Sequence, residues 1–110
     1  MANRLTKGKG LFGGLNVGAG SDLVKISGGT VSVDLPSVSA NTTGSKAVTV
    51  TGAATGDVVV VNPPALTAGL AFAGAAVTDT DEVTVYVVNT TGSAIDESAS
   101  NFTYLLVELS

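Results

Sequence analysis

The chain has 110 residues, which is enough for one domain with a modest core, and it contains neither cysteine nor histidine. Disulfide bonds and thiolate metal sites are therefore excluded, and the commonest general base and metal ligand is absent. Only 5% of the residues are aromatic and 13% are charged. A core built mainly from small aliphatic side chains is thin, and burial between subunits is one common remedy.

Charge is distributed unevenly along the chain. Residues 1–10 carry Arg4, Lys7 and Lys9 and no acid, so this part is +3, whereas the remainder carries two lysines against nine acids and is −7. The two parts together give the net charge of −4. Because an acidic body repels phosphate and three basic residues make a small footprint, we do not expect nucleic-acid binding.

The first 20 residues are predicted to form a flexible or extended basic arm, followed by one domain at 21–110. Six glycines in this segment disfavour a helix, since each costs about 1 kcal/mol relative to alanine. Leu11 and Phe12 are apolar and could anchor the arm, so the candidate docking residues are Arg4, Lys7, Lys9, Leu11 and Phe12. The arm either docks on an acidic neighbour or is a solvated tail.

The first 20 residues also bear on the cellular location of the protein. Its apolar stretch is short and broken by glycine, unlike the apolar region of a secretory signal, so we expect synthesis and use without secretion. No segment approaches the ~20 apolar residues of a membrane span, and we expect no membrane partner.

Alternation with period two predicts the first strands. Residues 22–26 (DLVKI) are a short strand candidate, and Gly28-Gly29 predicts a turn. Residues 30–35 (TVSVDL) and 47–51 (AVTVT) then alternate between apolar and polar positions. The side chains predicted to face inward are Val31, Val33, Leu35, Val48 and Val50.

Four further strands are predicted in the second half. The continuous apolar run at residues 58–61 indicates a strand that is covered on both faces or lies in the core of a sandwich. Residues 70–72 form a short extended piece, and 101–109 form the last strand. Residues 82–88 (EVTVYVV) give the clearest pattern, with Val83, Val85 and Val87 on one face.

These six or seven strands, spaced about 10–15 residues apart, indicate an all-β protein, either an antiparallel β-sandwich or a small barrel. No convincing helix is predicted, and residues 93–100 are expected to form a loop or one weak helical turn around residues 95–98. Three N-x-T triplets, at Asn41, Asn89 and Asn101, match the glycosylation pattern, but we interpret them as chance matches in a threonine-rich chain.

Candidate chemical motifs are few. The glycine-rich stretch at residues 7–14 lacks the spacing of a phosphate-binding loop. Asp79, Asp81 and Glu82 could ligate Ca²⁺, but a solvated turn is favoured over a cation site. Serine and threonine nucleophiles have no histidine to activate them. We therefore expect no enzyme activity, no catalytic residue, no cofactor and no metal site.

A resemblance covers residues 47–107. The succession GDVVVVNPP, LTAGLAFAGAAVTDTDEVTVYVVN and TTGSAID resembles a β-rich module of tailed-bacteriophage virion proteins, and most of all small capsid decoration (cement) proteins. The resemblance implies a jelly-roll-like sandwich on the outer capsid surface, commonly a homotrimer, that clamps neighbouring major capsid proteins. It implies a virion location after synthesis in the host cytoplasm.

Two other classes of function remain open. A tail- or fibre-associated module that is structural or binds a receptor or carbohydrate would share the same β-rich style, although the scarcity of aromatic residues disfavours sugar stacking. A small hydrolase would need an activated nucleophile, which the sequence does not reveal.

Overall fold

A computed structural model describes residues 23–109 of the chain, and these residues form six antiparallel β-strands with no helix among them. Five of the six strands are rich in valine, threonine or alanine, whereas β6 carries three leucines. The β-branched residues suit a pleated, half-buried surface. The strands are β1 (Leu23–Val33), β2 (Thr43–Thr49), β3 (Val58–Asn62), β4 (Leu70–Asp79), β5 (Glu82–Asn89) and β6 (Ser100–Leu109).

Two three-stranded sheets form a β-sandwich. One sheet has the order β1-β6-β3 and the other β2-β5-β4, and every paired strand is antiparallel. Apart from the β4–β5 hairpin, each connection between successive strands in the described part crosses from one sheet to the other. This alternation between sheets is typical of a jelly roll, which in its full form has eight strands. The predicted antiparallel β-sandwich is confirmed, with six strands.

The central strand β5 shows how the sequence pattern builds the core. Val83, Val85 and Val87 are at most 1% exposed, whereas the intervening side chains are only partly buried. Opposite them, Phe102 of β6 is fully buried and meets Phe72 edge-to-face, with ring centroids 6.4 Å apart. Such an aromatic pair contributes about 1 kcal/mol beyond its area burial. The inward face predicted for β5 is therefore confirmed.

The turn predicted at Gly28-Gly29 is wrong, because β1 runs straight through both glycines. Gly28 pairs with Leu105 and Gly29 pairs with Tyr104 of β6. A Cβ atom at Gly29 would lie 3.1 Å from the Tyr104 hydroxyl oxygen and 3.3 Å from its ring. Glycine here makes room for a tyrosine that crosses the strand, which is a recognised reason for glycine inside a sheet.

Strand β4 is also longer than predicted. It continues from Leu70 to Asp79 rather than ending at residue 72, with irregular register between Phe72 and Gly74 and again between Val77 and Asp79. Gly74 has a φ of 139°, a conformation that favours glycine, so it accommodates the first of these irregularities. The weak helical turn predicted around residues 95–98 is absent.

Candidate functional site

The predicted arm lies outside the described residues. This applies to every candidate docking residue and to the boundary between residues 20 and 21. The residues concerned are Arg4, Lys7, Lys9, Leu11 and Phe12. The structure does show where the chain enters the sandwich, because Leu23 pairs with Leu109 at one end of the edge strand β1.

At one end of the sandwich, the loops are organised around the side chain of Asn89, which is completely buried. Its amide nitrogen donates to the carbonyl oxygens of Val38 (2.9 Å) and Ser93 (2.8 Å). Its side-chain oxygen accepts from the backbone N–H (2.9 Å) and the hydroxyl (2.7 Å) of Thr91. All the hydrogen-bonding capacity of this amide is used, so Asn89 holds two separate loops against the end of β5.

This arrangement explains the role of the asparagine in one of the three N-x-T triplets, the one that begins at Asn89. Asn89 has no exposed surface, and both of its amide hydrogens are engaged with backbone carbonyls. It is therefore a structural residue in the folded chain, whereas Asn41 and Asn101 are exposed.

The adjoining loops are tied together by two further contacts. Thr90 donates from both its backbone nitrogen and its hydroxyl to the carbonyl oxygen of Gly69, each at 2.9 Å. The backbone N–H of Thr67 donates to the Glu97 carboxylate at 2.9 Å. Hydrogen bonds from the Thr67 hydroxyl and backbone N–H hold the pKa of Glu97 below its ordinary value. This end of the molecule is thus a set of mutually braced loops.

The acidic turn at the opposite end has a structural role as well. The Asp81 carboxylate accepts the backbone N–H of Gly52 at 2.8 Å. Asp81 also exchanges backbone hydrogen bonds with the 50–53 loop, accepting from Val50 (2.9 Å) and donating to Ala53 (2.7 Å). Its φ of 58° is the left-handed conformation that aspartate tolerates better than most residues. These bonds fasten the β4–β5 hairpin to the loop that precedes β3.

The neighbouring acids make local contacts too. Asp79 accepts the backbone N–H of Thr80 at 2.8 Å, and Glu82 accepts the Thr78 hydroxyl at 2.9 Å. Across residues 23–109, no group of three potential ligands is placed to hold a metal ion. The predicted turn is confirmed, because residues 80 and 81 connect β4 to β5.

The outer face of the β1-β6-β3 sheet is the main apolar surface of the described chain. Five large aliphatic side chains there are between 41% and 57% exposed, and we call them the outer patch: Ile26, Val58, Val60, Leu105 and Leu109. The register explains their grouping, because Leu105 pairs with Val60, and Val107 pairs with both Ile26 and Val58. The continuous valine run of β3 was the sequence signal for this face.

Within residues 23–109 the fold encloses no pocket, and none of its elements is a helix that could span a membrane. Comparisons with protein-family models, with curated proteins and with solved structures find no match. The surfaces and braced loops described above are therefore the features on which a function can be argued.

Proposed function

We propose that this chain is a structural virion protein that binds the outer surface of a tailed-phage capsid and stabilises contacts between neighbouring major capsid proteins. On this proposal it has no enzymatic activity and no cofactor, and its partners are the coat protein and further copies of itself. The resemblance of residues 47–107 implies that these copies associate as trimers on the shell.

The observation that carries the proposal is the structural use of the motifs that resemble the virion module. Gly56-Asp57 directly precedes β3, and the Pro63-Pro64 pair directly follows it. Asp81 fastens one end of the sandwich, and Asn89 fastens the other. In this chain these motifs therefore build a braced scaffold, which suits a protein whose work is done by its surfaces.

The physical mechanism is burial of surface where coat subunits meet. Each bound copy covers part of two or more coat subunits, and separating those subunits would expose that surface again. One copy contributes modestly, but many copies act on the same shell, so their effects combine. The basic arm would add an electrostatic contact to an acidic part of the coat, and this contact would weaken as salt is added.

The test is to titrate the purified full chain onto empty or expanded capsids and to measure their melting temperature. The proposal predicts saturable binding and a higher melting temperature. Capsids whose melting temperature is unchanged at saturation would refute it. Removal of residues 1–20 should weaken binding while leaving the β-sheet circular dichroism unchanged.

The arm can be tested by matched charge reversals. Lys7→Glu should weaken capsid binding, most clearly at low salt. Lys46→Glu is the control, because Lys46 is exposed on β2, away from the arm in sequence. Equal binding by the wild-type chain, the arm variant and the Lys46→Glu control would contradict docking through the arm. The capsid proposal itself is tested by the melting experiment.

A further inference from the structure

The outer patch lies on a sheet whose two faces are both apolar. In β3, Val59 and Val61 pack against the core, while Val58 and Val60 point outward and are 45% and 57% exposed. A continuous apolar run of this kind is typical of strands that are covered on both faces. In the single chain the second sheet covers only the inner face.

The outer patch also extends across all three strands of the sheet. Leu105 lies on the central strand β6, between Gly28 of β1 and Val60 of β3. Gly28 has no side chain beside Leu105, so no bulky group rises above the patch at this point. An aliphatic sheet face is the kind of surface that packs against a second sheet at a distance of about 10 Å.

Charge distinguishes this face from the rest of the molecule. The strand register places only uncharged residues on the outer face of the β1-β6-β3 sheet. This holds for β1 from Ile26 onward, for β3, and for β6 as far as Leu109. The outer face of the other sheet carries Asp79 and Glu82, which pair with each other at one end of the β4–β5 hairpin. For a chain with a net charge of −4, an uncharged face is where two copies can meet with the least repulsion.

We infer that the outer patch is the contact surface for a second copy of this chain, with the two β1-β6-β3 sheets packed face to face. The five side chains of the patch present on the order of 400 Å² of apolar surface. A stable interface buries ~800 Å² per partner, so the contact would also bury the neutral residues around the patch. Among these neutral neighbours are Thr30, Asn62 and Thr103.

Both copies would use the same surface, the outer patch, and this determines the symmetry of the contact. A self-complementary face closes on a two-fold axis, whereas a ring of three needs two different complementary surfaces on every chain. The outer patch therefore specifies a pair. This inference does not depend on the capsid proposal, because the chain alone would form the pair, and any three-fold order on a shell would come from other surfaces.

The first experiment measures the mass of the purified full chain in solution by light scattering over a range of concentrations. We expect a dimer that dissociates on dilution. Leu105→Glu and, separately, Val60→Glu should weaken the dimer by a factor of at least about 100, because each would bury unpaired carboxylates in the contact. Ser45→Glu is the control, since Ser45 is exposed on the other sheet.

The second experiment uses the absence of cysteine from the sequence. In Leu105→Cys, any disulfide must join two copies at the centre of the patch, and we expect a covalent dimer under mild oxidation. Ser45→Cys should remain unlinked under the same conditions. Circular dichroism of each variant checks that the sandwich is retained, and Leu105 and Val60 are exposed enough for substitution to be tolerated.

The inference is overturned if the wild-type chain is monomeric at every concentration, as it would be if its own first 22 residues covered the patch. It is also overturned by a dimer or trimer whose mass is unchanged in both glutamate variants. Capsid binding is measured separately. A monomeric Leu105→Glu protein that still raises the capsid melting temperature would leave the capsid proposal intact, and a dimer that fails to bind capsids would refute only that proposal.

Discussion

Replacing Asn89 with alanine should be among the most destabilising single changes in this protein. The substitution removes four side-chain hydrogen bonds and leaves the backbone N–H of Thr91 without its partner. The carbonyl oxygens of Val38 and Ser93 each lose one of two donors and keep the other. A buried polar group that loses its hydrogen bond costs about 1–3 kcal/mol, although relaxation and entering water recover part of this. We expect a loss of about 3 kcal/mol in the free energy of unfolding.

Urea denaturation followed by circular dichroism measures this loss directly. For a domain of this size it corresponds to a decrease of roughly 15 °C in melting temperature. Asn101→Ala is the matched control, because Asn101 is exposed on β6, and its change should stay within about 0.5 kcal/mol. A loss below 1 kcal/mol for Asn89→Ala, or equal losses for the two variants, would refute the role assigned to Asn89.

The Asn89→Asp variant tests the two N–H donors of the Asn89 side chain separately from its size and shape. Aspartate has the same size and keeps an acceptor for Thr91, but an ionised carboxylate cannot donate to Val38 or Ser93 and would face their carbonyl oxygens. At neutral pH we expect a loss at least as large as that of Asn89→Ala. The loss should shrink at acidic pH, because a protonated carboxyl can donate one hydrogen bond. A pH-independent loss would contradict this reasoning.

Two further predictions concern the loops at the same end of the sandwich. Gly69 has a φ of 93°, and a Cβ atom there would collide with the Thr91 side chain, so Gly69→Ala should cost about 1–3 kcal/mol. Gly92→Ala is its control, because nothing lies within 4 Å of an added Cβ; equal melting temperatures for the two variants would disprove the constraint. The lowered pKa of Glu97 means that its bonds with Thr67 stabilise the fold above the ordinary glutamate pKa, and this contribution is lost as the pH falls through the lowered value. Denaturation across the acidic range should therefore show a small stability advantage over Glu97→Gln at neutral pH that disappears in acid, and a constant difference would contradict the assignment.

The sequence predicted the strands best where one face is buried and the other is not. In β5, the alternation of Val83, Val85 and Val87 with partly exposed residues follows directly from the pleat, so both the strand and its inward face could be predicted. The prediction of a turn at Gly28-Gly29 was wrong because a glycine pair can either bend the chain or make room for a neighbouring side chain within a strand. Whether it bends the chain or admits a neighbour depends on Tyr104, which is distant in sequence.

The braced loops were missed because their interactions are also distant in sequence. The pentapeptide NTTGS occurs twice, yet Asn41 is exposed with a φ of 56°, whereas Asn89 is fully buried. Identical local sequences thus occupy different environments, and the contact between Asn89 and Val38 joins residues that are 51 positions apart. The outer patch was signalled by the valine run at 58–61, but the exposure of its outward half became visible only in the folded sheet.

The central claim, that the chain stabilises a capsid by covering junctions between coat subunits, is tested most directly by the capsid melting temperature at saturating protein. The account predicts a higher melting temperature that reaches a plateau once the surface sites are filled. Saturable binding with no change in melting temperature, or no binding at all, would contradict it.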